Sequence, residues 1–208
     1  MNKELLANIN RRRHFDEKEG LEILNLPELN LTPEEEMEIF DFPEDEATSL
    51  FIKYITRIHT DHYNWKLCDE AEVKIFDFSP ENIKKIMPRY VGLISPAQRL
   101  CPEAELKIFN LPGDIAKEII FRYTEWHILR SEAKLKIFNL PIKTVQEIMI
   151  KYAQRGSIDF LPPKVQIMIF DHPEIAKEIW KNCHKSSRQG FCFEARKKAS
   201  RLGLSPYW

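Results

Sequence analysis

The chain has 208 residues, of which 43% are hydrophobic, 11% aromatic and 30% charged, with six glycines and four cysteines. That composition excludes an intrinsically disordered chain, and a chain of this length needs no disulfide framework to hold its core. The formal net charge of −1 is unevenly spread: residues 1–50 carry 14 acidic and 5 basic side chains, leaving an excess of +8 on residues 51–208.

Met1 to His14 has no continuous apolar run and carries Arg11-Arg12-Arg13, unlike a secretory signal. No apolar run approaches the roughly 18 residues of a membrane span. The expectation is a cytoplasmic protein without a membrane partner.

Residues 1–31 read as an N-terminal cap and half-repeat, in which Leu21-Glu22-Ile23-Leu24-Asn25-Leu26-Pro27 is a degenerate copy of a phrase that then recurs. Its full copies are Glu36-Met37-Glu38-Ile39-Phe40-Asp41-Phe42-Pro43, Glu72 to Ser79, Glu105 to Pro112, Lys134 to Pro141 and Gln166 to Pro173. Registered on Ile39, Ile75, Ile108, Ile137 and Ile169, the steps are 36, 33, 29 and 32 residues. Periods of this size belong to stacked supersecondary units, and residues 32–185 are predicted to form five two-helix repeats.

The first helix of each unit is short, for example Asp69 to Asp77, and apolar around more than half its circumference. Phe40, Phe76, Phe109, Phe138 and Phe170, each following the marker isoleucine, are expected to form the structural repeat core. Glu70/Lys74, Glu103/Lys107 and Glu132/Lys136 mark its solvent side as i,i+4 pairs. Asp41, Asp77, Asn110, Asn139 and Asp171 stand where they could cap the next helix. Asp41-Phe42-Pro43-Glu44 and Asp171-His172-Pro173-Glu174 have capping-box spacing, with Pro in a first turn that needs no N–H.

The second helices are predicted over Glu44 to about His59, Glu81–Tyr90, Asp114–Trp126, Lys143–Tyr152 and Glu174–His184. Leu50, Ile86, Ile119, Ile148 and Trp180 share one register, and Tyr54, Tyr90, Tyr123, Tyr152 and His184 follow four residues later, an inward stripe. The residue before each tyrosine is a cation: Lys53, Arg89, Arg122 and Lys151 form a candidate binding row. Residues 186–208 read as a basic C-terminal cap whose helix, Phe193 to Leu202, carries Arg196, Lys197, Lys198 and Arg201.

Motifs of catalysis are missing from the sequence: no Gly-x-Ser-x-Gly elbow, P-loop or Rossmann glycine pattern occurs. His59, His62 and Cys68, like Cys183, His184 and Cys192, lack the CxxC or HxxxH spacing of a zinc site. No enzyme activity, cofactor, metal or small-molecule substrate is expected.

Two helices per unit of about 30–35 residues resemble the α-solenoid class of HEAT, armadillo, TPR and leucine-rich-repeat-variant arrays over residues 16–185. The TPR and ankyrin signatures are absent, and the units are shorter than typical HEAT repeats. The phrase is also similar to short repeats of uncharacterised bacterial proteins. The resemblance implies a right-handed α-solenoid with capped ends and carries over no functional residue. The leading expectation is a non-catalytic scaffold for a protein or peptide partner. The alternative is sequence-nonspecific nucleic-acid binding through the cation row and the basic C-terminal helix.

Overall fold

The computed structural model describes residues 31–58, 65–95, 97–155, 161–183, 188 and 190–204. Among them the fold is all-helical, with no strand. The α-helices are α1 (Pro33–Glu38), α2 (Glu44–Ile58), α3 (Asp69–Lys74), α4 (Pro80–Leu93), α5 (Pro102–Lys107), α6 (Gly113–Tyr123), α7 (Ser131–Lys136), α8 (Ile142–Gln154), α9 (Pro163–Ile169), α10 (Pro173–Asn182) and α11 (Phe193–Arg201). None is long and apolar enough to cross a membrane.

The first four full copies of the phrase each end a one-and-a-half-turn α-helix that tightens into a 3-10 turn, over Ile39–Asp41, Ile75–Asp77, Ile108–Asn110 and Ile137–Asn139. The turn closes on the marker isoleucine's carbonyl, which accepts the N–H of Phe42, Phe78, Leu111 or Leu140 at 3.1–3.3 Å. That residue then turns extended, with ψ between 158° and 165°. A following proline disfavours the helical region for the residue before it. So the pairs Phe42-Pro43, Leu111-Pro112 and Leu140-Pro141 end one helix and start the next.

The chain divides into two compact units, residues 1–104 and 105–208. In the first, the short helices α1 and α3 pack on each other, and the longer α2 packs on α4. In the second, α7, α9 and α11 form one layer while α6, α8 and α10 form the other. The marker isoleucines Ile39, Ile75, Ile108, Ile137 and Ile169 have no exposed surface, and Tyr54, Tyr90, Tyr123 and Tyr152 are buried on the second helices. His184, the fifth member of that stripe, lies outside the described residues.

Two expectations need correction. Of the phenylalanines, Phe109 and Phe170 are buried, but Phe40, Phe76 and Phe138 are only half-buried. Beside each of these three, the isoleucine takes the fully buried position and the phenylalanine keeps part of its surface in solvent. There Phe40 still joins Phe51 and Phe78, at ring distances of 4.9 and 5.4 Å, with Lys74 Nζ 4.9 Å over its ring.

The second correction concerns the caps. Asp41, Asp77, Asn110, Asn139 and Asp171 are all exposed. The cap positions of α4, α6, α8 and α10 fall one or two residues later, on Ser79, Pro112, Pro141 and His172, and none of those side chains caps its helix. The 3-10 turn uses up the residues that a direct helix-to-helix junction would have left for the cap.

A different device ties the second-helix starts together. Glu44 Oε1 accepts the backbone N–H of Ser79 (2.6 Å) and the Asn82 amide (2.8 Å) from the next repeat, and these hydrogen bonds hold its carboxyl below the usual range. In the second unit, Gly113 occupies the position of Glu44 and Pro141 that of Ser79. Pro141 has no N–H to give, and a Cβ at Gly113 would lie 3.0 Å from its ring, so a glycine fits where the glutamate has no donor to meet.

Candidate functional site

Most of the polar chemistry in the interior belongs to one repeated position, the first residue of the phrase. Glu36, Glu72, Glu105, Lys134 and Gln166 are all buried. Glu36 Oε2 accepts the Cys68 N–H of the next repeat (2.7 Å) while Oε1 accepts the Tyr54 hydroxyl (3.1 Å). Glu72 does the same with the Cys101 N–H (2.6 Å) and the Tyr90 hydroxyl. Each tyrosine oxygen in turn accepts a backbone N–H, from Leu31 or Leu67, at 3.0 Å. Glu105 accepts the N–H and the guanidinium of Arg130, and Gln166 accepts the N–H of Cys192 (2.6 Å).

These carboxylates therefore supply acceptors to the orphan N–H groups at the starts of α3, α5 and α7, and Gln166 does so for α11. Burial raises the Glu36 and Glu72 carboxyls, with the hydrogen bonds pulling the other way, and burial pushes the Tyr90 phenol well up. Such shifts mark catalytic residues in many proteins. Here every oxygen of Glu36 and Glu72 already has a donor within the fold, and it is burial that raises the two carboxyls.

The cysteines are part of the same junction. Cys68, Cys101 and Cys192 precede α3, α5 and α11, and each thiol faces the carbonyl of the first residue of the preceding short helix: Pro33 (4.0 Å), Asp69 (3.7 Å) and Pro163 (3.9 Å). Burial pushes the Cys68 and Cys101 thiols up to about 11, which keeps them protonated and poor nucleophiles at neutral pH. Ligand atoms of Asp69, Glu72 and Cys101 lie within 4.8 Å of one another. Lys66 Nζ already fills that group, 2.6 Å from Asp69 and 3.5 Å from Glu72. His59, His62 and His184 lie outside the described residues.

The candidate row divides between the units. Lys53 and Arg89 are exposed on the first. On the second, Arg122 and Lys151 converge on Glu125, at 3.9 and 3.7 Å, joined by Arg155 at 3.9 Å. Lys151 Nζ also lies 4.4 Å over the Phe121 ring. In the C-terminal helix Ala195 and Ala199 are buried and Arg196, Lys197 and Arg201 exposed, while Lys198 pairs with Asp171.

The residues that sequence reasoning missed lie in the connection after α6. The predicted helix to Trp126 stops at Tyr123, and Thr124–Trp126 form turns closed by the N–H groups of Thr124, Glu125 and Trp126. His127 folds inward, buried and stacked 4.7 Å from the Tyr123 ring. Its neighbours are thrown outward: Trp126 is 66% exposed and Ile128 39%. They border a cleft of about 260 Å³, completed by Lys151, Tyr152 and Arg155 from α8 and the residue after it. The Arg155 guanidinium donates to the Thr124 carbonyl and so pins the turn to the end of α8. The available signal was Thr124-Glu125-Trp126-His127-Ile128, a segment whose large apolar residues fall outside both repeat registers.

Comparison of the chain with protein-family models, curated proteins and solved structures gives no match.

Proposed function

We propose that the chain is a non-catalytic interaction scaffold, an α-solenoid of about five HEAT-like helical hairpins that binds a protein or peptide partner. The observation that carries this reading is the exposed pair Trp126 and Ile128 beside a cleft. Large apolar side chains at a surface concavity, with Arg alongside, have the composition of interface hot spots. The interleaving of Glu125 among Arg122, Lys151 and Arg155 favours a peptide over a polyanion, because a phosphate-tracking groove gains nothing from a carboxylate at its centre. Cys68, Cys101, Cys183 and Cys192 are not joined in disulfides, which fits a reducing, cytoplasmic setting.

The second reading, nucleic-acid binding, is favoured by one feature: Arg196, Lys197 and Arg201 stand exposed together on α11. Nuclease-treated affinity capture separates the two. Wild type, Trp126→Ala and an Arg196→Gln/Lys197→Gln/Arg201→Gln variant serve as baits. The scaffold reading expects proteins held by wild type and by the α11 variant but lost with Trp126→Ala. Loss on nuclease treatment or with the α11 variant alone would favour the second reading.

A further inference from the structure

The cation cluster at the cleft has an unusual balance. Among the described residues, Arg122, Lys151 and Arg155 pair with a single carboxylate, Glu125, leaving two positive charges in surplus. Their contacts with it, at 3.9, 3.7 and 3.9 Å, all lie outside hydrogen-bond range, where charge-assisted bonds run at about 2.7–2.9 Å. The same unit can make a tight pair, as Lys117 and Glu147 do at 2.6 Å. Glu125 is placed between three cations and tightly bound to none, so the cluster keeps donors available for a second carboxylate. Beside it, Trp126 and Ile128 offer an apolar surface, and the cleft between is large enough for one or two side chains rather than a drug-sized molecule, which would need about 300 Å³ or more.

We propose that the cleft binds an acidic peptide segment of a partner protein, with an Asp or Glu carboxylate entering the Arg122/Lys151/Arg155 cluster and an adjacent large apolar side chain packing on Trp126 and Ile128. This rests on the scaffold reading and specifies its partner. The surplus charge fixes the sign of the peptide, and the guanidinium forks favour a planar carboxylate taken two bonds at a time. The apolar wall sets the second requirement: a purely acidic tract would leave the Trp126 face wet, and a purely apolar one would leave the cation cluster uncompensated. Arg155 also donates to the Thr124 carbonyl, which ties the cation cluster to the turn that carries the apolar wall.

The test is a random-peptide display selection on the full chain, counter-selected on Trp126→Ala, followed by anisotropy titration of a labelled consensus peptide. The expected result is enrichment of Asp or Glu within a few residues of Leu, Phe or Trp. Arg122→Gln/Lys151→Gln and Trp126→Ala should each weaken binding about tenfold or more. Replacing the peptide's acids with their amides should have the same effect on wild type and little on the double variant. Circular dichroism of both variants checks that they fold. Peptides enriched without any acidic preference would overturn this inference and leave the scaffold reading standing. No enrichment over Trp126→Ala would overturn both. Tighter binding of a labelled oligothymidylate than of any selected peptide, lost in the same variants, would overturn it in favour of nucleic acid.

Discussion

Tyr90 donates its hydroxyl to Glu72, eighteen residues earlier in the chain, while the same hydroxyl oxygen accepts the Leu67 N–H and the carboxylate's other oxygen accepts the Cys101 N–H. Tyr54 and Glu36 repeat the arrangement at the same separation. Where the position holds a glutamine, its partner changes sign: Gln166 Nε2 donates to the Leu161 carbonyl (2.9 Å), and Oε1 still accepts the N–H of the following cysteine. At Glu36, Glu72, Glu105 and Gln166 the residue type thus follows whether its second partner is a donor or an acceptor.

Swapping the two should therefore be costly in both directions. Glu72→Gln sets an amide N–H against the Tyr90 O–H, and Gln166→Glu sets a carboxylate against a carbonyl. Each should destabilise by about 1–3 kcal/mol, the cost of an orphaned buried polar group. Tyr90→Phe, which leaves the Leu67 N–H without its acceptor, should fall in the same range. Urea unfolding read by circular dichroism measures all three, and an unchanged midpoint for Glu72→Gln would show that the hydroxyl's direction does not matter.

The pH dependence follows from the same residues. Burial raises the Glu36 and Glu72 carboxyls in the fold above their ordinary value of 4.5. Between that value and the raised ones the folded state binds more protons than the unfolded chain, so their contribution is full below the ordinary value and declines as pH rises through the raised ones. Wild type should therefore show stability falling with rising pH above about 4.5 relative to Glu36→Gln/Glu72→Gln. Unfolding midpoints across the acidic range test this, and a difference that grows with falling pH in favour of the double variant would reverse the sign.

The all-helical fold, the short helices that end in the phrase and the extent of most second helices were legible in the sequence, because the period-3.6 pattern and the proline at or next to the end of each phrase are local signals. The stripe of Tyr54, Tyr90, Tyr123 and Tyr152 was legible as inward-facing for the same reason. The fate of Glu36, Glu72 and Glu105 was not. A carboxylate at a helix surface usually faces water; Glu36 and Glu72 instead meet a hydroxyl eighteen residues downstream and an N–H further on, and Glu105 meets the N–H and guanidinium of Arg130. The cleft escaped because helix periodicity carries through Thr124-Glu125-Trp126, while the inward turn of His127 onto Tyr123 decides where the helix stops.

The core prediction moves from the phenylalanine to its neighbour. Ile75 has no exposed surface and Phe76 is half-buried. Ile75→Ala should cost about 2–5 kcal/mol, and Phe76→Ala, despite removing the larger side chain, should cost less than the 3–5 kcal/mol of a fully buried ring. Thermal melts of the two variants decide it; a larger loss for Phe76→Ala would restore the phenylalanine as the centre of packing.

The exposed turn residues make the opposite prediction. Asn139 is exposed, and the cap position of α8 is Pro141, so Asn139→Ala should change stability by no more than about 0.5 kcal/mol, as at other surface sites, and not by the roughly 1 kcal/mol of a lost cap. A melt lowered by the amount expected of a cap would return the side chain to that role.

The scaffold reading stands or falls on what touches the Trp126 face. A photoreactive benzophenone amino acid placed at Ile128, with irradiation in nuclease-treated extract, reports that contact directly. The account predicts a discrete protein adduct that disappears when Trp126→Ala is added to the same chain. An adduct to nucleic acid in untreated extract alone, or a protein adduct indifferent to Trp126→Ala, would contradict it.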